Sequence, residues 1–258
     1  TSQALKVIDK IADWGVFQLA IGGGEPFIRE DLLQLVSHAA GRGLSVHVTT
    51  GKLDIEYQLL ESISPFIKNL QFGVRTDNLM CLEGLLAMIQ KLGISIGANL
   101  FLTKFVIENL ENIIKIIVNL GFNRIILLRY KPPESIERWK AENPELHQMR
   151  SLYDKISEIV KENPQLNVRV DCALSFVQSH LSGRFATEYG IKGCVAADRI
   201  LSLAPDGSVY PCSQLVHSRC YAGNLLESEP KLLWNQSHIL RKYRSFRTKK
   251  TFTHSWCG

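Results

Sequence analysis

Residues 16–26 read VFQLAIGGGEP, so that a short apolar run is followed directly by three glycines, a glutamate and a proline. The apolar run predicts a buried strand, and the segment from Asp31 to Gly43 predicts a helix with an acidic first turn and a glycine at its end. Because glycine has no Cβ, its backbone can approach a ligand closely, and Glu25 beside it could bind a cation or an ammonium group. The residue types alone support equally well a tight turn that carries a surface glutamate.

The alternation of short apolar runs and helical segments continues along the chain. The runs are LSVHVTT at 44–50, NLQFGV at 69–74, ISIGANLFL at 94–102 and RIILLRY at 124–130. The helical segments between them are about 10–15 residues long, which is typical of βαβ units. We therefore predict an α/β protein with parallel strands, and LNVRVD at 166–171 would add a sixth strand.

Two segments near the middle of the chain give more specific expectations. Residues 107–121, IENLENIIKIIVNLG, carry apolar side chains at helical spacing and predict one continuous helix. The following stretch, KPPESIERWKAENPE at 131–145, predicts an irregular excursion, and LHQMRSLYDKISEIVKENP after it predicts a long helix.

Composition limits the classes of protein that this chain can represent. Its 258 residues are 45% hydrophobic and 21% charged, which is typical of a soluble globular protein. No apolar run approaches the ~20 residues that span a bilayer, and the opening segment predicts an amphipathic helix instead of a signal peptide. The formal net charge of +5 is modest. The basic cluster at 241–250 could face an acidic peptide or nucleic acid, but the pattern favours a solvated helix face, and we expect no nucleic-acid partner.

Six cysteines occur without a secretory signal, which favours a reducing compartment, and we expect a cytoplasmic protein. Cys81, on a predicted amphipathic helix, and Cys172, near a strand end, are predicted to be core cysteines. The histidines show no ligand spacing. Asp171 and Asp198 could act as general bases, although a role in local turns is favoured.

The pattern changes near residues 185–190. Beyond this point RILSL and SVYPC flank the turn residues Pro205 to Gly207, which predicts a β-hairpin. We predict two domains, residues 1–188 and residues 189–258. A chain of βα units that opens on a helix is unusual, so we expect a strand and a loop upstream of Thr1, and we expect the chain to continue beyond Gly258.

The GGEP stretch resembles the radical S-adenosylmethionine superfamily, in which this loop follows the second strand of a partial TIM-like barrel and binds the cofactor's amino group. The resemblance implies a (β/α)6-type barrel. It also implies S-adenosyl-L-methionine contacts by Gly23, Gly24, Glu25, Pro26, Thr49, Thr50, Asn99 and Arg129. Thr49 and Thr50 stand where many members have Thr-Asn, and Arg129 belongs to the LLRYKPP strand end.

Two positions depart from the superfamily's pattern. The segment NLQFGVRTD lies where members often read Ser-x-Asp, but it has Gly73 and Arg75 there. The superfamily's C-x3-C-x2-C loop, which holds the [4Fe-4S] cluster that cleaves the cofactor, does not occur in this sequence. Its place in the pattern is the loop after the first barrel strand, which is the strand that we expect upstream of Thr1.

The C-terminal cysteines form a second motif, Cys194-x12-Gly207-x4-Cys212. A hairpin can bring two such sulfurs together, so the spacing favours a metal site; a zinc clip and two incidental cysteines remain open. The motif resembles the SPASM extension of radical S-adenosylmethionine enzymes, as does the following GNLLES…LLW. The resemblance implies Cys194 and Cys212 as ligands of one auxiliary [4Fe-4S] cluster and Cys257 as a ligand of a second. Cys220 fits no standard position.

The combined resemblance implies a radical enzyme that generates a 5′-deoxyadenosyl radical and modifies a ribosomally made precursor peptide by cross-linking, cyclisation or excision. It also implies a precursor peptide or protein as substrate and a reductant such as flavodoxin or ferredoxin. Two alternatives stay open: a sulfatase-type protein maturase, and a non-catalytic peptide-binding partner that lacks the cofactor-cleaving cluster.

Overall fold

The structure is a computed structural model and describes residues 1–130, 135–174 and 194–245. The strands are β1 Gln18–Ile21, β2 Ser45–Thr50, β3 Ile67–Val74, β4 Ile96–Leu102, β5 Arg124–Arg129, β6 Asn167–Val170, β7 Ser202–Leu203 and β8 Val209–Tyr210. The helices are α1 Ser2–Asp13, α2 Leu32–Gly41, α3 Tyr57–Ile63, α4 Glu83–Lys91, α5 Lys104–Glu108, α6 Leu110–Asn119, α7 Ile136–Glu142, α8 Leu146–Glu162, α9 Pro230–Gln236 and α10 His238–Ser245.

Strands β1 to β6 form one six-stranded sheet in the order in which they occur along the chain. The pairs from β2–β3 to β5–β6 are parallel. Helices connect successive strands, so the prediction of an α/β parallel sheet is confirmed, including the sixth strand.

One face of this sheet forms the apolar core. On β3, the side chains of Leu70, Phe72 and Val74 are at most 1% exposed. Side chains alternate along a strand, so the residues between these three face the other side of the sheet. Polar residues occupy that other face at the centre of the sheet.

The helix predicted over residues 107–121 is divided in two. α5 begins at Lys104 because Thr103 caps it, with Oγ1 accepting a hydrogen bond from the backbone nitrogen of Val106 at 3.2 Å. Asn109 interrupts the helix at φ −106°, and its side-chain nitrogen donates to the Phe105 carbonyl at 2.9 Å. An asparagine side chain that bonds its local backbone competes with helix continuation, which explains the break.

The excursion predicted to be irregular contains a helix. The Ser135 hydroxyl accepts a hydrogen bond from the backbone nitrogen of Arg138 at 3.2 Å and so caps α7. The prediction missed this helix because it is only seven residues long and has no buried residue that would produce an apolar stripe.

The chain divides into two compact units. One contains Thr1–Leu19, Gln34–Ser45 and the described residues from Cys194 onward. The other contains Ala20–Leu33 and the described residues between Val46 and Gly193. The predicted boundary between residues 188 and 189 lies outside the described ranges and stays a prediction.

Within the first unit, α1 packs against the C-terminal segment. The Lys10 ammonium donates to the carbonyls of Leu225 at 2.9 Å and Ser228 at 3.3 Å. The rings of Trp14 and Trp234 meet edge to face with centroids 5.3 Å apart. The N-terminal helix therefore belongs to the same compact unit as the cysteine hairpin.

The predicted hairpin is confirmed, since β7 and β8 pair antiparallel. Its turn requires Gly207, which has φ +84° and whose Cβ, if it had one, would lie 2.7 Å from the Asn224 side-chain oxygen. Asn224 holds this turn by donating to the Asp206 carbonyl at 2.9 Å and by accepting from the Leu226 nitrogen at 2.8 Å. The glycine of the cysteine motif thus serves the turn itself.

In the part of the chain that the structure describes, every helix is too short or too polar to cross a lipid bilayer.

Candidate functional site

The three glycines follow β1 at the carboxyl end of the parallel sheet. Gly23 and Gly24 have φ of +75° and +54°, which favours glycine, and a Cβ at either position would meet no atom within 4 Å. Pro26 is buried and opens a short 3-10 turn, Pro26–Ile28. The loop therefore exposes backbone beside a fixed turn, at the edge where parallel α/β sheets place their ligand sites.

The Glu25 carboxylate is held by three donors. Its Oε1 accepts hydrogen bonds from the backbone nitrogen of Phe27 at 3.0 Å and from the Thr50 hydroxyl at 2.8 Å. Its Oε2 accepts from the backbone nitrogen of Gly51 at 2.9 Å. A carboxylate offers about four lone-pair directions, so this arrangement orients the group and leaves capacity for one further donor.

The end of β2 forms the second wall of this site. Thr50 is 2% exposed, and its hydroxyl also accepts a hydrogen bond from the backbone nitrogen of Lys52 at 2.9 Å. A Cβ on Gly22 would lie 3.5 Å from the Cβ of Thr49. Both threonines therefore lie next to the glycine–glutamate loop, although only Thr50 bonds to Glu25.

A row of carboxamides crosses the centre of the sheet. The Asn69 side-chain nitrogen donates to the Gln71 oxygen at 2.7 Å, and the Gln71 nitrogen donates to the Asn99 oxygen at 3.0 Å. Asn69 and Gln71 are each 7% exposed. We call these three residues the amide row. Burying polar groups is tolerated when they bond to one another, and here they do so across two strands.

Two features of the amide row are uncommon. A Cβ on Gly97 would overlap the Gln71 side chain, lying 2.7 Å from both its Cδ and its Nε2. The Asn69 Oδ1 atom is buried and has no hydrogen-bond partner among the described residues. The first feature shows that the glycine on β4 makes room for Gln71, and the second is a buried acceptor that native proteins seldom leave unpaired.

His47 lies on β2, with Asn69 as its partner in the neighbouring strand. Desolvation by burial, followed by the positive charge of Arg124, lowers the pKa of His47 below its ordinary value. Both effects disfavour the protonated ring. The ring is therefore kept neutral further into the acidic range than a solvated histidine would be.

Arg129 ends β5 and pairs in register with Leu102 of β4. The next residue, Tyr130, donates a hydrogen bond from its hydroxyl to the Glu142 carboxylate of α7. Arg138 donates a hydrogen bond of 2.9 Å to the same carboxylate. The hydrogen bonds from Tyr130 and then Arg138 lower the pKa of Glu142. These contacts tie the helix after β5 to the end of that strand, and the sequence did not predict them.

The described cysteines differ in exposure. Cys194 is exposed, whereas Cys212 and Cys220 are 5% and 4% exposed and belong to one apolar cluster with Ala196 and Leu215. The Ala197 nitrogen donates to the Pro211 carbonyl at 2.8 Å. This bond joins the segment just after Cys194 to the residue just before Cys212, as the predicted hairpin requires.

Cys220 has polar neighbours of its own. Its sulfur lies 3.1 Å from the Tyr243 hydroxyl and 3.4 Å from the His217 Nε2. Among the described residues, no three histidine, cysteine or acidic side chains form a group that could hold a metal ion. Cys257 lies outside the described residues.

Two cysteines predicted to lie in the core are placed differently. Cys81 is exposed, because it belongs to a short 3-10 turn, Leu79–Leu82, whose buried side chains are Leu79 and Leu82. Cys172 is only partly buried, in a turn after β6. The prediction for Cys81 was wrong because the helix that it assumed begins only at Glu83.

The predicted contacts divide into two groups. The structure brings Glu25 and Thr50 into contact and places Thr49 beside Gly22, whereas Asn99 and Arg129 lie on β4 and β5. Sequence reasoning missed Asn69, Gln71 and Gly97. The signal that could have found the first two is the pair of amides at alternate positions in NLQFGV, which share one face of a strand.

Comparison with known proteins agrees with this architecture. A family model described as "SPASM: Iron-sulfur cluster-binding domain" matches residues 194–258. Mycofactocin maturase MftC of Mycolicibacterium smegmatis is 24% identical, over 95% of this chain and 64% of the relative. The PqqA peptide cyclase of Ruegeria pomeroyi is 25% identical, over 80% of this chain and 57% of the relative.

The crystal structure of Streptococcus suis SuiB bound to S-adenosylmethionine has the same fold. It superposes with a TM-score of 0.78 at 18% identity, over 95% of this chain and 60% of SuiB. A second SuiB structure, bound to its precursor peptide SuiA, superposes with a TM-score of 0.75.

A parallel α/β sheet with a glycine–glutamate loop behind its first strand, followed by a cysteine hairpin, defines the class as a partial barrel with a cluster-binding extension. Residues 194–258 match the SPASM domain model, and the chain is similar in sequence to MftC and in fold to SuiB, as the resemblance to radical S-adenosylmethionine enzymes implies. It spans less than two thirds of the length of MftC and of SuiB.

Proposed function

We propose that this chain is the cofactor-binding part of a radical S-adenosylmethionine enzyme that modifies a ribosomally made precursor peptide. The observation that carries the proposal is the Glu25 carboxylate, which three donors orient at the carboxyl edge of the sheet. A carboxylate fixed in this way suits the ammonium group of the cofactor's methionine moiety, since it has capacity for one further donor.

The residues that would hold S-adenosylmethionine are those of the glycine–glutamate loop and the strand ends beside it. Gly23 and Gly24 offer open backbone, and Pro26 fixes the turn. In this proposal the loop, Glu25, Thr49 and Thr50 bind the methionine end, and Asn99 and Arg129 bind the rest of the cofactor. The bound cofactor supplies the 5′-deoxyadenosyl radical that takes hydrogen from the substrate.

The cysteine hairpin would contribute to an auxiliary [4Fe-4S] cluster. Such a cluster takes four ligands, usually thiolates. Cys194 and Cys212 supply two, and the described residues contain no group of three candidate ligands. The other ligands of this cluster would therefore come from residues that the structure does not describe. Cys257, which also lies outside the described residues, is our candidate ligand for a second cluster.

A peptide substrate is supported by the relatives. MftC is a maturase, the Ruegeria protein is a peptide cyclase, and SuiB has been crystallised with its precursor peptide. We extend this substrate class to the present chain, with cross-linking, cyclisation or excision as the modification. We further propose a cytoplasmic location and a flavodoxin or ferredoxin as the reductant.

The first test measures cofactor binding by isothermal titration calorimetry with S-adenosylmethionine. Wild-type protein is expected to bind saturably. Glu25→Gln is expected to weaken binding about tenfold or more, because a charge-assisted hydrogen bond is replaced by a neutral one. Glu30→Gln, in the same loop region, is the matched control and should bind like the wild type. Failure of the wild-type protein to bind would refute the proposed function.

The second test measures iron and sulfide after anaerobic reconstitution. Cys194→Ser and Cys212→Ser are each expected to lower the iron content and the absorbance of the cluster, whereas Cys81→Ser, which changes an exposed cysteine outside the motif, should not. Equal iron content in all four proteins would remove the hairpin from the cluster site. The substrate class is tested by mass spectrometry of a precursor peptide encoded beside the gene after incubation with the reduced enzyme.

A further inference from the structure

We propose that Gln71 and Asn69 are positioning residues, which hold the Asn99 amide with its nitrogen toward the nucleoside of the bound cofactor. The inference rests on the proposed function, in which Asn99 contacts that nucleoside. The inference specifies which partner donates the hydrogen bond between Asn99 and the nucleoside. Asn99 would act as a hydrogen-bond donor, and the group that it binds would be an acceptor, either a ring nitrogen or a hydroxyl oxygen.

The hydrogen bonds of the amide row set this direction. Each carboxamide has one acceptor end and one donor end. The Gln71 oxygen accepts from Asn69 at 2.7 Å, so its nitrogen is the end that reaches Asn99, at 3.0 Å. The Asn99 oxygen is occupied by this bond, and the Asn99 nitrogen is the donor end that remains for a ligand.

The opposite direction of the row is disfavoured at Asn69. In the observed direction, the buried atom without a partner is the carbonyl oxygen of Asn69. If all three amides were reversed, Asn69 would instead bury an unpaired NH2 group with two donors. Unpaired buried N–H groups are rarer than under-satisfied carbonyl oxygens, so the observed direction has the lower desolvation penalty.

The absence of a Cβ at Gly97 gives Gln71 a fitted space in the row. Gln71 and Gly97 are partners in register on neighbouring strands, and the Gln71 side chain occupies the space that a Cβ at position 97 would take. The glutamine is 7% exposed, so it has no solvent-filled space into which it can turn. The side chain is therefore fixed by packing as well as by hydrogen bonds.

Asn99, at the donor end of the row, is the amide nearest the carboxyl edge of the sheet, where the glycine–glutamate loop also lies. Asn99 pairs in register with Gly73, and a Cβ on Gly73 would lie 3.7 Å from the Thr50 carbonyl oxygen and 4.0 Å from the Gly51 Cα. Gly51 in turn donates its backbone N–H to Glu25. A ligand held by Glu25 would thus begin two strands from Asn99, at the same end of the sheet.

The experiment compares affinities for S-adenosylhomocysteine, a probe that cannot be cleaved, by calorimetry. Asn99→Ala removes the donor, and Gln71→Ala removes only the group that orients it. Each is expected to weaken binding about threefold to tenfold, the effect of one neutral hydrogen bond. The double variant should be no weaker than Asn99→Ala, because both act on one contact. Gln58→Ala, an exposed glutamine of α3, is the matched control.

A substitution that keeps the size of Gln71 separates positioning from packing. In Gln71→Glu, an ionised side chain can only accept, so the Asn99 amide is expected to reverse and to present its oxygen to the ligand. The affinity should fall as in Gln71→Ala. In 15N-resolved NMR spectra recorded without ligand, the Asn99 NH2 protons should gain NOEs to the side-chain methylene protons of residue 71, whereas an amide that does not reverse would keep the wild-type NOEs.

A ligand-independent measurement tests the geometry itself. Gly97→Ala is expected to lower the melting temperature by about 4 °C or more, because its Cβ overlaps Gln71. In the Gln71→Ala background the same substitution should have almost no effect. Gly84→Ala, in α4 where a Cβ meets nothing within 4 Å, is the control and should not destabilise the protein.

The outcomes distinguish this inference from the proposed function. If wild-type protein binds S-adenosylhomocysteine and Gln71→Ala and Gln71→Glu bind it equally well, the inference is refuted and the proposed function stands. If the wild-type protein does not bind the probe, both are refuted. Additive losses in the double variant would also overturn the inference, since Gln71 would then contribute independently of Asn99.

Discussion

The Thr50 hydroxyl donates a hydrogen bond of 2.8 Å to the Glu25 carboxylate, and so connects the end of β2 with the loop that follows β1. The same hydroxyl accepts from the Lys52 backbone nitrogen at 2.9 Å. One buried side chain thereby orients the carboxylate and closes the turn after its own strand. The candidate cofactor site depends on two adjacent strand ends, and each can be tested by substitution.

Thr50→Val removes the hydroxyl and keeps the shape of the side chain. We expect the free energy of unfolding to fall by about 1–3 kcal/mol, because a carboxylate oxygen and a backbone N–H both lose a partner. Urea unfolding measures this change. Thr76→Val, an exposed threonine after β3, is the control and should stay within about 0.5 kcal/mol of the wild type. Equal effects of the two substitutions would contradict a role for Thr50 in holding Glu25.

Gly207→Ala tests the turn of the cysteine hairpin. Its φ of +84° is unfavourable for alanine, and the new Cβ would lie 2.7 Å from the Asn224 oxygen and 2.9 Å from the Leu226 Cγ. We expect a loss of about 2–4 kcal/mol, from backbone strain and overpacking together.

The control for this substitution is Gly15→Ala. Gly15 has a similar φ of +90°, but a Cβ there would meet nothing within 4 Å, so only the backbone strain of about 1–2 kcal/mol applies. The difference between the two variants in thermal unfolding measures the steric part. Equal losses would show that the contact with Asn224 has no energetic effect.

The pair of Trp14 and Trp234 tests whether α1 and the C-terminal segment fold as one unit. A double-mutant cycle with Trp14→Ala and Trp234→Ala is expected to give a coupling energy of about 0.5–1.5 kcal/mol, the usual range for edge-to-face rings. A coupling near zero between Trp14 and Trp234 would mean that the two segments unfold independently.

The lowered pKa of His47 predicts a dependence of stability on pH. Because the unfolded chain binds this proton at a higher pH than the folded chain does, the unfolded state gains protons first as the pH falls. The contribution of His47 is fully present above about pH 6.5 and is lost as the pH falls through the lower pKa of the folded state.

His47→Gln should therefore make the melting temperature less dependent on pH between about 7 and 5. His147→Gln is the control, since this histidine has a side chain that is 74% exposed. A wild-type profile with the same slope as the His47→Gln profile would contradict the assignment of this pH dependence to His47.

The sheet could be predicted because its apolar runs and helical stripes are local patterns. The compositions of VFQLAI and RIILLRY identify them as strands, and short crossovers then restrict the pairing. The prediction that VFQLAI is buried was wrong, because the described β1 is partly exposed and Phe17 beside it is 78% exposed. The break between α5 and α6 is harder to predict, because it depends on a hydrogen bond from the Asn109 side chain to the Phe105 carbonyl that competes with continuation of the helix.

The site could be predicted only in part. Glu25 stands out because glycines and a proline surround it, whereas Asn69 and Gln71 resemble an exposed strand face until the register places Gly97 beside them. Contacts between distant positions, such as that of Lys10 with Leu225, cannot be predicted from the sequence around either residue. Cys81 was misassigned because an apolar stripe does not show where a helix begins.

The contact between Lys10 and Leu225 spans 215 positions of the chain, which has a consequence for synthesis on the ribosome. Lys10 is synthesised 215 residues before Leu225, so α1 must wait for that stretch of chain before this partner exists. The sheet between them, whose contacts are mostly sequential, can form in the meantime. Until residues 225 and 228 have been synthesised, the Lys10 ammonium lacks both of its carbonyl acceptors, so the first compact unit is completed only after the sheet.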